Sequence, residues 1–148
     1  MSTERRRMTR VGNRIGVWMY RTLDGRLSIG SKKVHVLMIT STGRRTGVPR
    51  STCILYLEVD DGFVVWGTGS GSPRDPDWFC NLREAKVVDL QIRSRLLKAR
   101  PVELVGEQRD TTWNEVVLAQ APEVGKYARR AGRTIPVALL QPAETSSP

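Results

Sequence analysis

A chain of 148 residues, 39% hydrophobic and 26% charged, is the size of one domain and can bury a real core. No apolar run in it is long enough to span a bilayer, and no hydrophobic stretch follows Arg5, Arg6 and Arg7 as a secretory signal would require. The formal net charge of +9 points to an anionic partner, which leaves nucleic acid, an anionic membrane surface or a small ligand with several negative charges.

Residues 1–12 are basic, contain little that could pack, and are expected to form a flexible arm. Ile15, Trp18 and Met19 recur at helical spacing, which predicts a helix over 13–23 ended by Asp24-Gly25. Residues 34–40 are β-branched and aliphatic and predict a buried strand. A turn loop follows over 41–49, then a strand over 50–59, a hairpin turn at Asp60-Asp61-Gly62 and a third strand over 63–68. A Gly/Ser/Pro loop leads to Asp75-Pro76, which reads as an N-cap with proline at the first helical position, and predicts a short helix over 77–85. Strands are expected over 87–92 and 96–105 around an Arg93-Ser94-Arg95 turn, with Pro101 marking an edge strand or a bulge. Thr111 or Thr112 is expected to cap a helix through Trp113, Val116 and Val117. Pro122 opens another helical segment through Tyr127, Gly132 ends it, and 135–140 is a last strand before a polar tail, 143–148, expected to be disordered. Short hairpins dominate the middle of this order. They argue against βαβ units and for an antiparallel sheet or small barrel with helices outside, an α+β fold.

Four segments could carry chemistry. In Ser41-Thr42-Gly43-Arg44-Arg45-Thr46-Gly47, two glycines let backbone N–H groups converge, and Arg44 and Arg45 supply forked donors matched to phosphate oxygens, with Arg50 a hairpin-width away. No Gly-Lys-Ser/Thr closes it, so it is not a P-loop, and a solvated basic turn is the plain alternative. Gly67-Thr68-Gly69-Ser70-Gly71 lacks the last glycine and the parallel sheet of a dinucleotide fingerprint, yet its small residues permit a flat ligand to approach the backbone, or serve only as a flexible connection. Trp78, Phe79 and Asn81 stand at a helix start, where polar ligand groups bind, or are core and surface positions. Tyr127 among Lys126, Arg129, Arg130 and Arg133 could donate to a developing oxyanion, or lie on a solvated face. The single histidine, His35, lies in an apolar run, and Cys53 and Cys80 lack metal-type spacing. No zinc site or histidine triad is expected, and free thiols in a reducing cytoplasm are.

The landmarks Trp18-Met19-Tyr20-Arg21, Thr42-Gly43-Arg44-Arg45-Thr46-Gly47-Val48-Pro49-Arg50, Asp75-Pro76-Asp77-Trp78-Phe79-Cys80-Asn81-Leu82 and Arg133-Thr134-Ile135-Pro136 occur here in one chain and in this order. Together they resemble the deazaflavin-dependent nitroreductase and quinone reductase family, which uses coenzyme F420 (8-hydroxy-5-deazaflavin), over roughly residues 18–142. The resemblance implies a split β-barrel of the FMN-binding-like type, mainly antiparallel with flanking helices, as a single domain over 13–142. It places the coenzyme phosphate on Arg44, Arg45 and Thr46. It lines the coenzyme with Arg50, Ser51, Thr52, Cys53, Ile54 and Leu55 from the next strand. Trp66, Gly67, Thr68 and Gly69 would meet the deazaflavin ring, and Asp77, Trp78, Phe79, Cys80 and Asn81 would complete the site. Trp18, Val124 and Tyr127 would form the substrate pocket. Gly69 replaces a lysine of some members, Thr68 a serine, and Val124 a pocket tyrosine, so substrate choice is expected to differ more than coenzyme choice.

The implied activity is hydride transfer to a quinone, nitroaromatic or enone, with Tyr127, Thr68 or water handling the resulting anion, and with binding and orientation as the protein's part. A phosphate and a tail of glutamates would account for the basic charge, and no nucleic acid partner is expected. The alternatives are a non-catalytic split barrel holding FMN, haem or a fatty acid, and a basic nucleic-acid-binding module. The arm from Arg5 to Arg10 is either a solvated tail or a peripheral contact with an anionic membrane.

Overall fold

The computed structural model describes residues 34–143. The expected arm over 1–12, the helix over 13–23 and the pocket residue Trp18 lie outside the described residues, as does the tail from 144 onward. Six strands, β1 (Val34–Thr42), β2 (Pro49–Val59), β3 (Gly62–Trp66), β4 (Val88–Ile92), β5 (Arg95–Leu104) and β6 (Val137–Pro142), close into an antiparallel barrel in the order β1-β2-β3-β6-β5-β4. Helix α1 (Asp77–Glu84) follows β3, α2 (Gly106–Thr112) follows β5, and α3 (Val124–Ala131) precedes β6. This is the α+β split barrel expected from the sequence.

Period-two alternation builds two cores from one wall. Leu37 and Ile39 of β1 and Ile54 and Tyr56 of β2 fill the barrel with Phe63, Leu90 and Leu140, and Phe79 and Leu82 of α1 join them. Leu57 of β2, with Val64 and Trp66 of β3, faces a second cluster made with Trp113, Val117, Val124 and Ile135.

Several boundaries differ from the sequence reading, each for a local reason. β3 stops at Trp66 rather than 68, because the Gly67 amide bonds to the Pro136 carbonyl (3.0 Å) and Thr68 turns into the αR region to start a 3₁₀ turn, Gly69–Gly71. β6 starts at Val137 rather than 135, since Pro136 has no N–H for the ladder. It continues past Leu140: Pro142 is paired with Ala99, and the Ala143 amide donates to the Lys98 carbonyl (2.8 Å). Pro101 is not on an edge strand, because the barrel has none. Pairing of β5 with β4 ends at Ala99, so Pro101 faces only β6 and its missing N–H costs nothing on the β4 side. The helix expected from Thr111 or Thr112 starts at Gly106, where a positive φ (+60°) turns the chain out of β5. It then widens into a π-helical turn, Trp113–Val117, before a last turn, Leu118–Gln120. Arg109 anchors this segment, its guanidinium over the Trp113 ring (5.2 Å to the centroid) and bonded to the Ile135 carbonyl at 2.7 and 2.9 Å.

Gly62 closes the β2–β3 hairpin with φ +145°, and a Cβ there would collide with the Leu140 carbonyl oxygen across the β3–β6 pair. Gly62→Ala should therefore lower unfolding free energy by about 2 kcal/mol or more, from strained backbone and a backbone clash that no side chain can relieve. Chemical denaturation of the two proteins checks this.

Candidate functional site

The β1–β2 loop is drawn tight by its own backbone. The Gly43 amide donates to the Val48 carbonyl and the Gly47 amide to the Gly43 carbonyl (both 2.8 Å), with Gly47 at φ +74° and the Val48 amide on Thr46 Oγ1 (3.2 Å). A Cβ on Gly43 would press on Thr46 Oγ1 at 3.0 Å and the Val48 carbonyl at 3.1 Å, so the turn needs glycine there. The loop docks on the start of α1. The Arg44 amide (3.1 Å) and its Nη1 (2.8 Å) both donate to Asn81 Oδ1, and Nη1 and Nη2 reach the Asp77 carbonyl (3.4 Å) and carboxylate (3.2 Å).

Between loop, strand and helix lies a cleft of about 520 Å³. Gly43, Arg44, Arg45 and Thr46 line it from the loop, Arg50, Ser51 and Thr52 from β2, and Asp77, Trp78 and Asn81 from α1. Three guanidinium groups against one carboxylate make it electropositive. Arg45 and Arg50 are exposed and have no hydrogen bond or ion pair among the described residues, so both are free to meet an anion. The hydroxyls of Thr40 and Ser51 bond across the β1–β2 pair at 2.7 Å and brace the strand beneath the loop.

Nine of the expected site residues thus converge: Arg44, Arg45, Thr46, Arg50, Ser51, Thr52, Asp77, Trp78 and Asn81. The others do not line this cleft. Ile54 and Phe79 point into the barrel and Trp66 into the second core, because strand alternation and the apolar face of α1 turn them inward. Leu55 packs partly buried against that second core. Cys53 is half-buried opposite Met38, and burial pushes its thiol pKa up, which disfavours the reactive thiolate. Cys80 lies near the Asp75 carbonyl (Sγ···O 3.9 Å). Val124, expected in a substrate pocket, is 4% exposed and packs in the second core on the same α3 face as Ala128 and Ala131. Tyr127 is exposed on α3 with the Arg130 guanidinium 5.9 Å from its ring centroid.

The segment carrying Gly67, Thr68 and Gly69 packs beside α3, with Gly71 against the Arg130 side chain. Gly67 is wedged between Pro76, Phe79 and Pro136, where a Cβ would meet atoms at 3.1 to 3.2 Å. One residue given no site role in the sequence reading holds this segment together. Arg133 donates through Nη2 to the carbonyls of Gly67, Thr68 and Arg74 (3.1, 3.2 and 3.0 Å) and through Nε to that of Ser72 (3.1 Å). Its Nη1 donates to Asp75 Oδ1 (2.7 Å). Asp75 is therefore not the helix N-cap. Pro76 holds that position with no side-chain cap, while the Asp75 carboxylate bridges Arg133 and Arg83, and Arg83 forks onto Glu103 (2.8 and 3.0 Å). The sequence signals for Arg133 were its place directly after the helix-ending Gly132, among other arginines, and at the head of the Arg133-Thr134-Ile135-Pro136 landmark, neither of which shows what it holds.

The family model for F420H(2)-dependent quinone reductase matches residues 12–142. An F420H(2)-dependent quinone reductase of Mycobacterium tuberculosis (strain ATCC 25618 / H37Rv) is 28% identical over 106 residues, which is 70% of this chain and 71% of that one. A solved F420-H2 dependent reductase shares the fold with a TM-score of 0.63 at 24% identity, over 72% of this chain and 93% of that one. The heme storage protein HutZ from Vibrio cholerae shares it at a TM-score of 0.54 and 11% identity, over 84% and 89% of the two chains.

Proposed function

The chain belongs to the F420H(2)-dependent quinone reductase family, and from that premise we propose that it binds coenzyme F420 in the arginine-lined cleft and reduces a small quinone-type acceptor. The observation that carries the reading is the pair of guanidinium groups without a partner among the described residues, Arg45 and Arg50, beside Trp78 in a cleft whose volume, about 520 Å³, suits a coenzyme-sized ligand. The donor set fits the group: forked N–H donors match phosphate oxygens, and the glycine turn lets the anion approach the backbone.

When bound, the reduced deazaflavin supplies a hydride, and a quinone that gains it and a proton becomes a hydroquinone. The residues of this chain bind and orient. Arg45, Arg50 and Thr46 hold the phosphate end, Trp78 offers a half-buried flat surface, and Ser51 and Thr52 contribute hydroxyls along β2. Arg133 fixes the backbone of Gly67 and Thr68, against which the ring would lie. The Thr68 hydroxyl and the Tyr127 phenol are the proposed proton carriers for the acceptor oxygen. Nitroaromatics and enones belong to the proposed acceptor class, since each takes hydride at an electron-poor centre. We place the protein in the cytoplasm. Contact with an anionic membrane through the basic residues from Arg5 to Arg10 would suit a lipophilic quinone; among the described residues no helix is long and apolar enough to cross a membrane.

Titration of the purified protein with F420, followed by the coenzyme's fluorescence, tests the reading, with FMN and NADPH as controls. Selective binding of F420, and oxidation of F420H2 that depends on added quinone, are expected. Equal binding of FMN, or no binding of F420, would overturn it.

A further inference from the structure

The three arginines of the cleft are not equivalent, and the difference is in their partners. Arg44 is engaged throughout. Its side chain is 19% exposed, its amide and Nη1 both bond to Asn81 Oδ1, and Nη1 and Nη2 also reach Asp77. Asn81 is only 6% exposed, so its carbonyl oxygen depends on Arg44 for these bonds. Swinging the Arg44 side chain toward an anion would leave that buried acceptor with the Arg44 amide alone and give up the contacts to Asp77 as well, a penalty comparable to what one new charge-assisted bond returns. Arg45 and Arg50 carry no such commitment.

We propose that Arg44 is a positioning residue and not an anion ligand: it pins Asn81 and the first turn of α1 to the β1–β2 loop, and so sets how far Trp78 stands from the loop and strand on which Arg45 and Arg50 meet the phosphate. The proposal rests on the F420 reading above. It makes Asn81 part of the same unit, and it assigns the Arg44–Asp77 pair a geometric role. That ion pair contributes little by itself, since the Asp77 carboxylate is 89% exposed. The placement of Trp78 serves the part of the ligand that lies against α1, whereas a phosphate ligand serves only the phosphate. This difference makes the two roles separable.

The test compares F420 with the same deazaflavin bearing ribitol but no phosphate, and adds inorganic phosphate as a competitor against F420. Arg44→Ala is expected to weaken both deazaflavins alike, by about tenfold, the loss of one charged contact. The inhibition constant of phosphate should stay unchanged. Asn81→Ala should do the same, and the double variant should be no weaker than either single one, because the two residues act together. Arg45→Ala or Arg50→Ala should weaken F420 by about tenfold, raise the phosphate constant and leave the phosphate-free ligand alone. Melting curves verify that each variant is folded. The proposal is overturned if Arg44→Ala weakens F420 but spares the phosphate-free deazaflavin, if it raises the phosphate constant, or if it changes nothing. Failure of the wild-type protein to bind F420 would instead remove the coenzyme reading on which the proposal stands.

Discussion

Replacing Arg45 and Arg50 together with alanine should abolish tight F420 binding and leave the barrel as stable as before. Both side chains are exposed and have no partner among the described residues, so their loss strands no carbonyl and no carboxylate there. Exposed changes of this kind usually move stability by no more than about 0.5 kcal/mol. Each guanidinium that meets a phosphate in the cleft contributes about 1.5–3 kcal/mol. The pair therefore amounts to about two to four powers of ten in the dissociation constant. The residual binding should also depend less on salt, because two of the charges that screening acts on are gone. Fluorescence titration at two ionic strengths, beside thermal melting, gives all three readouts. An F420 affinity within a few-fold of wild type would remove the phosphate from this loop.

Arg133→Ala should have the opposite signature, a large loss of stability together with loss of the site. The guanidinium serves four carbonyls and the Asp75 carboxylate. Truncation leaves four carbonyls without this donor and Asp75 with Arg83 alone, and at about 1 kcal/mol for each lost contact the loss should be about 3–5 kcal/mol. Arg133→Lys should recover only a minor share, because one ammonium cannot span acceptors spread from Gly67 to Asp75. Denaturant unfolding measures the stability. Quinone reduction by F420H2 measures the site, with the lysine variant expected to keep coenzyme binding better than turnover, since the phosphate end is untouched. A loss under about 1 kcal/mol in the alanine variant would show that solvent replaces these contacts.

Much of the fold was legible because hairpin strands carry their own pattern. Leu37, Ile39, Ile54 and Tyr56 alternate inward, and turn residues separate the runs. The arginine loop was legible for a similar reason: its glycines and forked donors stand together in the chain. What local pattern could not show is which partner each polar group finds. Asp75-Pro76 is a sound cap signal, yet Arg133, 58 residues away, claims the carboxylate. Arg44 and Arg45 are neighbours of one type, and only the fold reveals that the first is occupied by Asn81 while the second has no partner among the described residues. Val124 and Tyr127 both looked suited to a pocket, but the helix turns the first into the core. Burial of a helix face is set by what packs against it, and the sequence does not display that.

The closing of the barrel also governs how the chain reaches its native state. β6 fills the gap between β3 and β5, and its partner Phe63 lies far from Leu140 along the chain. The hairpins β1–β2, β2–β3 and β4–β5 can form early from neighbouring residues, but the last seam must gather distant ones. Such topology places folding in the slow range, about milliseconds to seconds. Until β6 docks, β3 and β5 expose bare amide edges, and in that interval the chain is most vulnerable to pairing with another copy of itself.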